Sequence, residues 1–159
     1  MKFTGETGQA SVINVEDMDT QASESADETQ VYREIEKELG IQVVRMGYKP
    51  KTMLLQRCTV DKTQKSAQMF YEYDREVVVY SIYMNNEDSS LGKRETDKIV
   101  NKFEIENNQK KITVTEYEVE NYNNHRFVAE FEDYGTHYQL RAVMKKAEFE
   151  KILKNLEFF

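Results

Sequence analysis

The chain has one cysteine, one proline, no tryptophan and two histidines among its 159 residues. Each shortage closes a class of chemistry. A single cysteine, Cys58, makes no intrachain disulfide. It lies in the apolar-leaning run "MLLQRCTV", where a buried thiol behaves as a small hydrophobe. A Cys–His nucleophile pair needs Cys58 beside His125 or His137 with a third group to orient the base, and no spacing suggests it. Zinc sites want three or four convergent ligands, so no metal ligand is assigned. Long hydrophobic runs are missing too. The longest is "VVVYSIYM", Val77 to Met84, far short of the roughly 20 residues a membrane-crossing helix needs. No signal peptide is visible after Met1-Lys2-Phe3. No G-x-S-x-G, P-loop or G-x-G-x-x-G occurs, and "GETG" (Gly5 to Gly8) is too short to cradle phosphate. The expectation is therefore no catalytic residue and no cofactor. The acidic stretches "VEDMD" and "NNEDSS" match no EF-hand loop and read as solvated loops.

What is present is charge, tyrosine and strand patterning. The net charge is −7 and the pI about 5.0. The basic pairs Lys93-Arg94, Lys110-Lys111 and Lys145-Lys146 sit among acidic residues, so nucleic acid is excluded as a partner, since phosphate contacts need clustered cations. The length suits one domain, and eight Phe and ten Tyr supply core volume.

Residues 1–27 read as a partly ordered stalk or linker, with one possible short strand in "QASVINVE"; residues 28–159 read as a single domain. A helix is predicted over about 27–39. Ser25 and Glu28 form an S-x-x-E capping box, Val31, Ile35 and Leu39 recur at helical spacing, and Gly40 suits a left-handed C-cap. Strands are predicted in "IQVVRM", "TMLLQRCTV", and the hairpin "AQMFYEY"/"EVVVYSIYM" around Asp74-Arg75. The second hairpin arm is apolar on both faces, which places it mid-sheet and covered on both sides. After a polar loop, Asn85 to Asp97, come "IVNKFEIE" and the meander "KITVTEYEV", "HRFVAEF", "THYQLRAV". A last helix, about 146–156, carries Phe149, Ile152, Leu153 and Leu156 as one apolar stripe. Burying those four contributes about 6–12 kcal/mol before entropy. Strands dominate and helices bracket them, so the class is α+β with a mostly antiparallel sheet of about six to eight strands.

Tyrosine is the one unusual feature. Tyr71, Tyr73, Tyr80 and Tyr83 lie on two paired strands and form the candidate ligand-binding face, for a sugar, peptide or lipid. The same rings serve equally as core and cross-strand pairs. Phe158 and Phe159 offer an apolar end for self-association, the alternative reading. A small hydrolase using scattered carboxylates is the third.

The run "HRFVAEFEDYGTHYQLRAVMKKAEFEKILKNLEF" resembles the end of the bacterial family known as domain of unknown function DUF4367, which closes with a strand, a turn, a strand carrying Y-x-L and a helix of the type E-x-x-K-I-x-x-x-L. Here those pieces are Tyr138-Gln139-Leu140 and Glu148 to Leu156. The upstream "YKPKTMLLQRCTVDKTQKSAQMFYEYDREVVVYSI" is similar to the family's middle section. The resemblance spans roughly residues 30–159. A tryptophan common in the family's penultimate strand is replaced near Phe131, and the last helix lacks a Ser or Asp cap before Ala147. The resemblance implies the extracytoplasmic part of a single-pass membrane protein of Gram-positive bacteria, some of whose members are anti-sigma-like. It implies a non-enzymatic sensor or binding domain. Its partner would be a protein or small ligand at the cell surface, with membrane contact only through a segment outside this chain. Composition alone fits a cytoplasmic protein equally well.

Overall fold

The computed structural model describes residues 10–14, 24–84 and 98–158. Helix α1 (Glu24–Leu39) is followed by a two-residue strand β2 (Arg45–Met46), then β3 (Leu54–Asp61), β4 (Ser66–Tyr73) and β5 (Glu76–Tyr83). Strands β6 (Lys98–Asn107), β7 (Lys110–Glu118), β8 (His125–Asp133) and β9 (Thr136–Met144) form the second run. Helix α2 (Lys146–Lys154) and strand β10 (Leu156–Glu157) close the chain. An edge strand β1 (Ala10–Asn14) pairs with β3, Ala10 opposite Asp61.

The class is α+β. Eight strands make one antiparallel sheet in the order β1-β3-β4-β5-β9-β8-β7-β6, and β10 pairs with β2 apart from it. Two meanders meet at β5 and β9, Tyr80 opposite Leu140. Of the expected stalk, residues 10–14 are thus sheet and residues 24–27 open α1; residues 1–9 and 15–23, the polar loop 85–97 and Phe159 lie outside the described residues.

The turns explain the register. Asp74-Arg75, Asn108-Gln109 and Tyr134-Gly135 all have positive φ at both positions, 53° and 67°, 53° and 68°, 51° and 80°. That is the type I′ geometry whose twist matches the flanking strands. Gly135 takes the larger φ at no steric cost. Gly47 answers a different demand. A Cβ there would stand 2.6 Å from the Asn155 carbonyl oxygen, where the Gly47 N–H donates to the same oxygen at 2.9 Å. Only glycine lets the β2–β10 clasp close this tightly.

Both helices cover one face. Val31, Ile35, Phe149, Ile152 and Leu153 are fully buried and share a cluster with Met69, Tyr71, Tyr80, Phe127, Ala129 and Leu140. Phe127 stacks on Phe149 at 5.2 Å. Leu156 is buried in β10, and half-buried Phe158 meets Phe131 edge-on at 5.4 Å. The apolar C-terminal stripe is core. Lys145, the N-cap of helix α2, makes no side-chain cap, so the helix's docking rests on packing.

Three expectations need correction. Helix α1 starts at Glu24, so Ser25 lies inside it and not at its cap. "IQVVRM" is strand only at Arg45–Met46. Its backbone groups are met by side chains instead: Val43 N–H donates to Glu36, Val44 N–H to the Tyr138 hydroxyl and Met46 N–H to the Tyr32 hydroxyl. Strand β5 is mid-sheet as its pattern predicts, but its second face is not sealed. Val77 is 62% exposed, Val79 and Tyr83 are half-buried, and no described helix lies over them.

Candidate functional site

The four tyrosines do not converge. Tyr71 and Tyr80 point into the core, 1% and 0% exposed. The Tyr71 hydroxyl donates to the carboxylate of Glu28, itself buried and 3.4 Å from Lys49 Nζ. The Tyr80 hydroxyl donates to the Val44 carbonyl at 2.5 Å. A buried tyrosine needs such a partner, and α1 and the segment after it supply them. Burial first, then neighbouring charge, pushes both hydroxyls well above their ordinary range. Tyr73 is half-buried on the same face, packed with Tyr48 against the core. Tyr83 alone faces the other way, stacked on His137 at 5.5 Å. As a binding surface the expected tyrosine face is split across the sheet, and two of its members are structural.

His125 and His137 stand at opposite ends of the β8–β9 ladder, opposite Met144 and Glu132 respectively. Cys58 is fully buried on β3, and burial pushes its thiol up to about 12. Strands β4 and β5 separate β3 from β9, about 14 Å at the usual strand spacing. Thiol and imidazole are therefore not paired. Among the described residues no group of three His, Cys, Asp or Glu side chains is placed to hold a metal ion. The two acidic stretches singled out from the sequence lie largely outside those residues.

What the fold does assemble is on the open face. Arg75, Glu76, Val77, Val79, Arg126, Arg141, Ala142 and Val143 line a groove of about 280 Å³. The register explains why these residues meet. Arg141 on β9 lies between Val79 of β5 and Val128 of β8, and Arg126 on β8 lies opposite Val143. Arg75 stands in the I′ turn at the groove's end. Glu76 accepts a hydrogen bond from the Tyr122 hydroxyl at 2.5 Å. That bond raises the Tyr122 pKa, while the charge of Arg126 acts against the rise. Arg126 and Arg141 are half-buried and make contacts within the chain. The sequence did carry a signal: a mid-sheet strand apolar on both faces, with arginines at outward-facing positions of the strands that follow.

A more open hollow of about 200 Å³ lies beside the start of β8, lined by Glu116, Asn123, Asn124, His125, Lys145 and Lys146 among others. His125 Nδ1 sits 2.6 Å from Glu116 Oε2 there.

The family model described as domain of unknown function DUF4367 matches residues 43–156, which runs from the buried Val43 to the last core residue of the clasp. No curated protein and no solved structure matches the chain. The chain belongs to the DUF4367 family.

Proposed function

We propose that this DUF4367 domain is a non-enzymatic, extracytoplasmic sensor or ligand-binding domain of a membrane-anchored bacterial protein. One observation carries the binding reading. A rigid antiparallel sheet, sealed by two helices on one face, leaves a groove of about 280 Å³ on the other. Small ligands bind in concavities that combine apolar lining with convergent polar groups, and this groove sets valines beside three arginines. The extracytoplasmic placement rests on the family resemblance, and anchoring requires a segment outside this chain.

Two measurements test it. In intact cells making the full-length protein, a Tyr134→Cys variant should react with a membrane-impermeant thiol reagent. Tyr134 is 79% exposed and the native Cys58 is buried, so the engineered thiol is the one read. Labelling only after lysis overturns the location. An NMR screen of small molecules should shift amides along Val77, Val79 and Val143. Hits confined to other surfaces, or turnover of a screened compound, overturn the binding reading.

A further inference from the structure

We infer that the open-face groove takes a small anionic ligand, a carboxylate or phosphate group joined to a short apolar portion. The inference rests on the binding reading above and names its ligand class. Three guanidinium groups, Arg75, Arg126 and Arg141, line the groove against a single carboxylate, Glu76, in a chain whose net charge is −7. That carboxylate is already held by the Tyr122 hydroxyl. The cations gather here against the overall balance of the molecule, and the gathering is fixed by strand register. A guanidinium presents a planar fork that matches carboxylate or phosphate. It has five N–H donors, enough to keep a contact within the chain and still hold a ligand anion.

The floor is apolar. Val77 is 62% exposed, and half-buried Val79 and the rim of buried Val143 continue the surface across β5 and β9, while Ala142 borders the groove with its side chain in the core. An apolar floor displaces water from one side of the cations, which strengthens their pull on an anion. It also offers a short hydrocarbon somewhere to lie. A volume of about 280 Å³ falls just below the usual span of small-molecule sites, roughly 300–1,000 Å³. The occupant is therefore a small molecule.

The test is an NMR titration of the 159-residue chain with four probes of one tail length: hexanoate, hexyl phosphate, hexanol and hexylamine. The expected result is saturable shifts at Val77, Val79, Ala142 and Val143 with at least one of the two anions, and at least tenfold weaker binding of hexanol and hexylamine. The stronger anion identifies the head group. An Arg126→Gln/Arg141→Gln variant should weaken anion binding at least tenfold. Arg57→Gln should leave it unchanged, because Arg57 lies over Phe70 on another part of the open face. Should the double variant fail to fold, Arg75→Asn, which suits the turn's φ of 67°, should still weaken binding several-fold. If hexanol or hexylamine matches the anions, the groove remains a binding site and the anionic ligand is overturned. Equal anion binding by the arginine variants overturns the arginine assignment. No shift at the four residues with any probe overturns both this inference and the groove as a binding site.

Discussion

The two faces of the sheet are built from the same strands and end in opposite conditions. On β5, Tyr80 is fully buried, and three residues earlier Val77 is 62% exposed. Tyrosine is the more polar of the two. Its place in the core follows from hydrogen bonding. The helix-covered face meets α1 and the segment after it, whose groups satisfy the hydroxyls of Tyr32, Tyr71, Tyr80 and Tyr138. Among the described residues the open face has no such layer. Its apolar side chains are shaded by single long neighbours, Arg57 over Phe70 at 4.1 Å and His137 against Tyr83. Residue polarity therefore does not decide which face is sealed; the supply of hydrogen-bond partners and a second packed layer does.

Substitutions should separate the faces most sharply. Phe149→Ala removes a fully buried ring stacked on Phe127 and should cost about 3–5 kcal/mol in urea unfolding. Val77→Ala, by contrast, should stay within about 0.5 kcal/mol. Comparable losses would mean that the open face is covered in solution.

Alkaline pH attacks chiefly the covered face, since Tyr83 on the open side is raised as well but is only half-buried. The hydroxyls of Tyr32, Tyr71, Tyr80 and Tyr138 are raised above the ordinary 10.0 chiefly by burial, Tyr138 to about 12. A group raised on folding leaves stability intact below its unfolded pKa and withdraws it as pH climbs above. Each such hydroxyl kept neutral one pH unit above 10.0 costs about 1.4 kcal/mol. Stability should be flat to about pH 9 and fall steeply between about 10 and 12. Tyrosinate absorbance should appear together with the loss of circular dichroism. A full complement of tyrosinate before unfolding would contradict the buried network.

That network has its own weak point at Glu28. Tyr71→Phe deprives a buried carboxylate, which Lys49 also faces, of a hydrogen-bond donor. The cost should be about 1–3 kcal/mol. Adding Glu28→Gln should recover part of it, because the remaining group no longer carries charge. If the two losses simply add, the pair is not coupled.

How much of this was legible in the sequence differs by layer. Period-2 alternation and turn residues marked seven of the eight long-sheet strands closely, and Phe149, Ile152 and Leu153 marked the closing helix, because local pattern and burial agree there; the helix stops at Lys154, and Leu156, expected in it, is buried in β10 instead. Gly40 and Gly135 both take positive φ, 67° and 80°, as their positions in the pattern require. Ile41 to Val44 misled because three β-branched residues in four imitate a strand, while their backbone partners are side chains, Glu36 for Val43 and, for Val44, Tyr138, 94 residues away. The tyrosine face misled for the same reason. Period 2 puts Tyr71 and Tyr73 on one face correctly, but no local rule says which face α1 will cover. The arginine groove was legible only in part. The doubly apolar β5 was visible, whereas its neighbour across the ladder is β9, fifty-odd residues on, and only that pairing brings Arg141 beside Val79.

The smallest effect is also the most direct comparison, since each face carries an aromatic stack. Phe131 and Tyr138 lie 4.9 Å apart at 9° inside the core, and Tyr83 and His137 lie 5.5 Å apart at 20° on the open side. Ring pairs of this geometry add about 0.5–1.5 kcal/mol beyond the area they bury. The inner pair is sealed under Phe158 and should stand near the top of that range. The outer pair is half-buried and should stand at or below its foot. Double-mutant cycles to leucine on both pairs read the two couplings separately from the cost of each truncation. An outer coupling as large as the inner one would show that the open face is packed as a second core. The groove would then lose its standing as a surface available to a ligand.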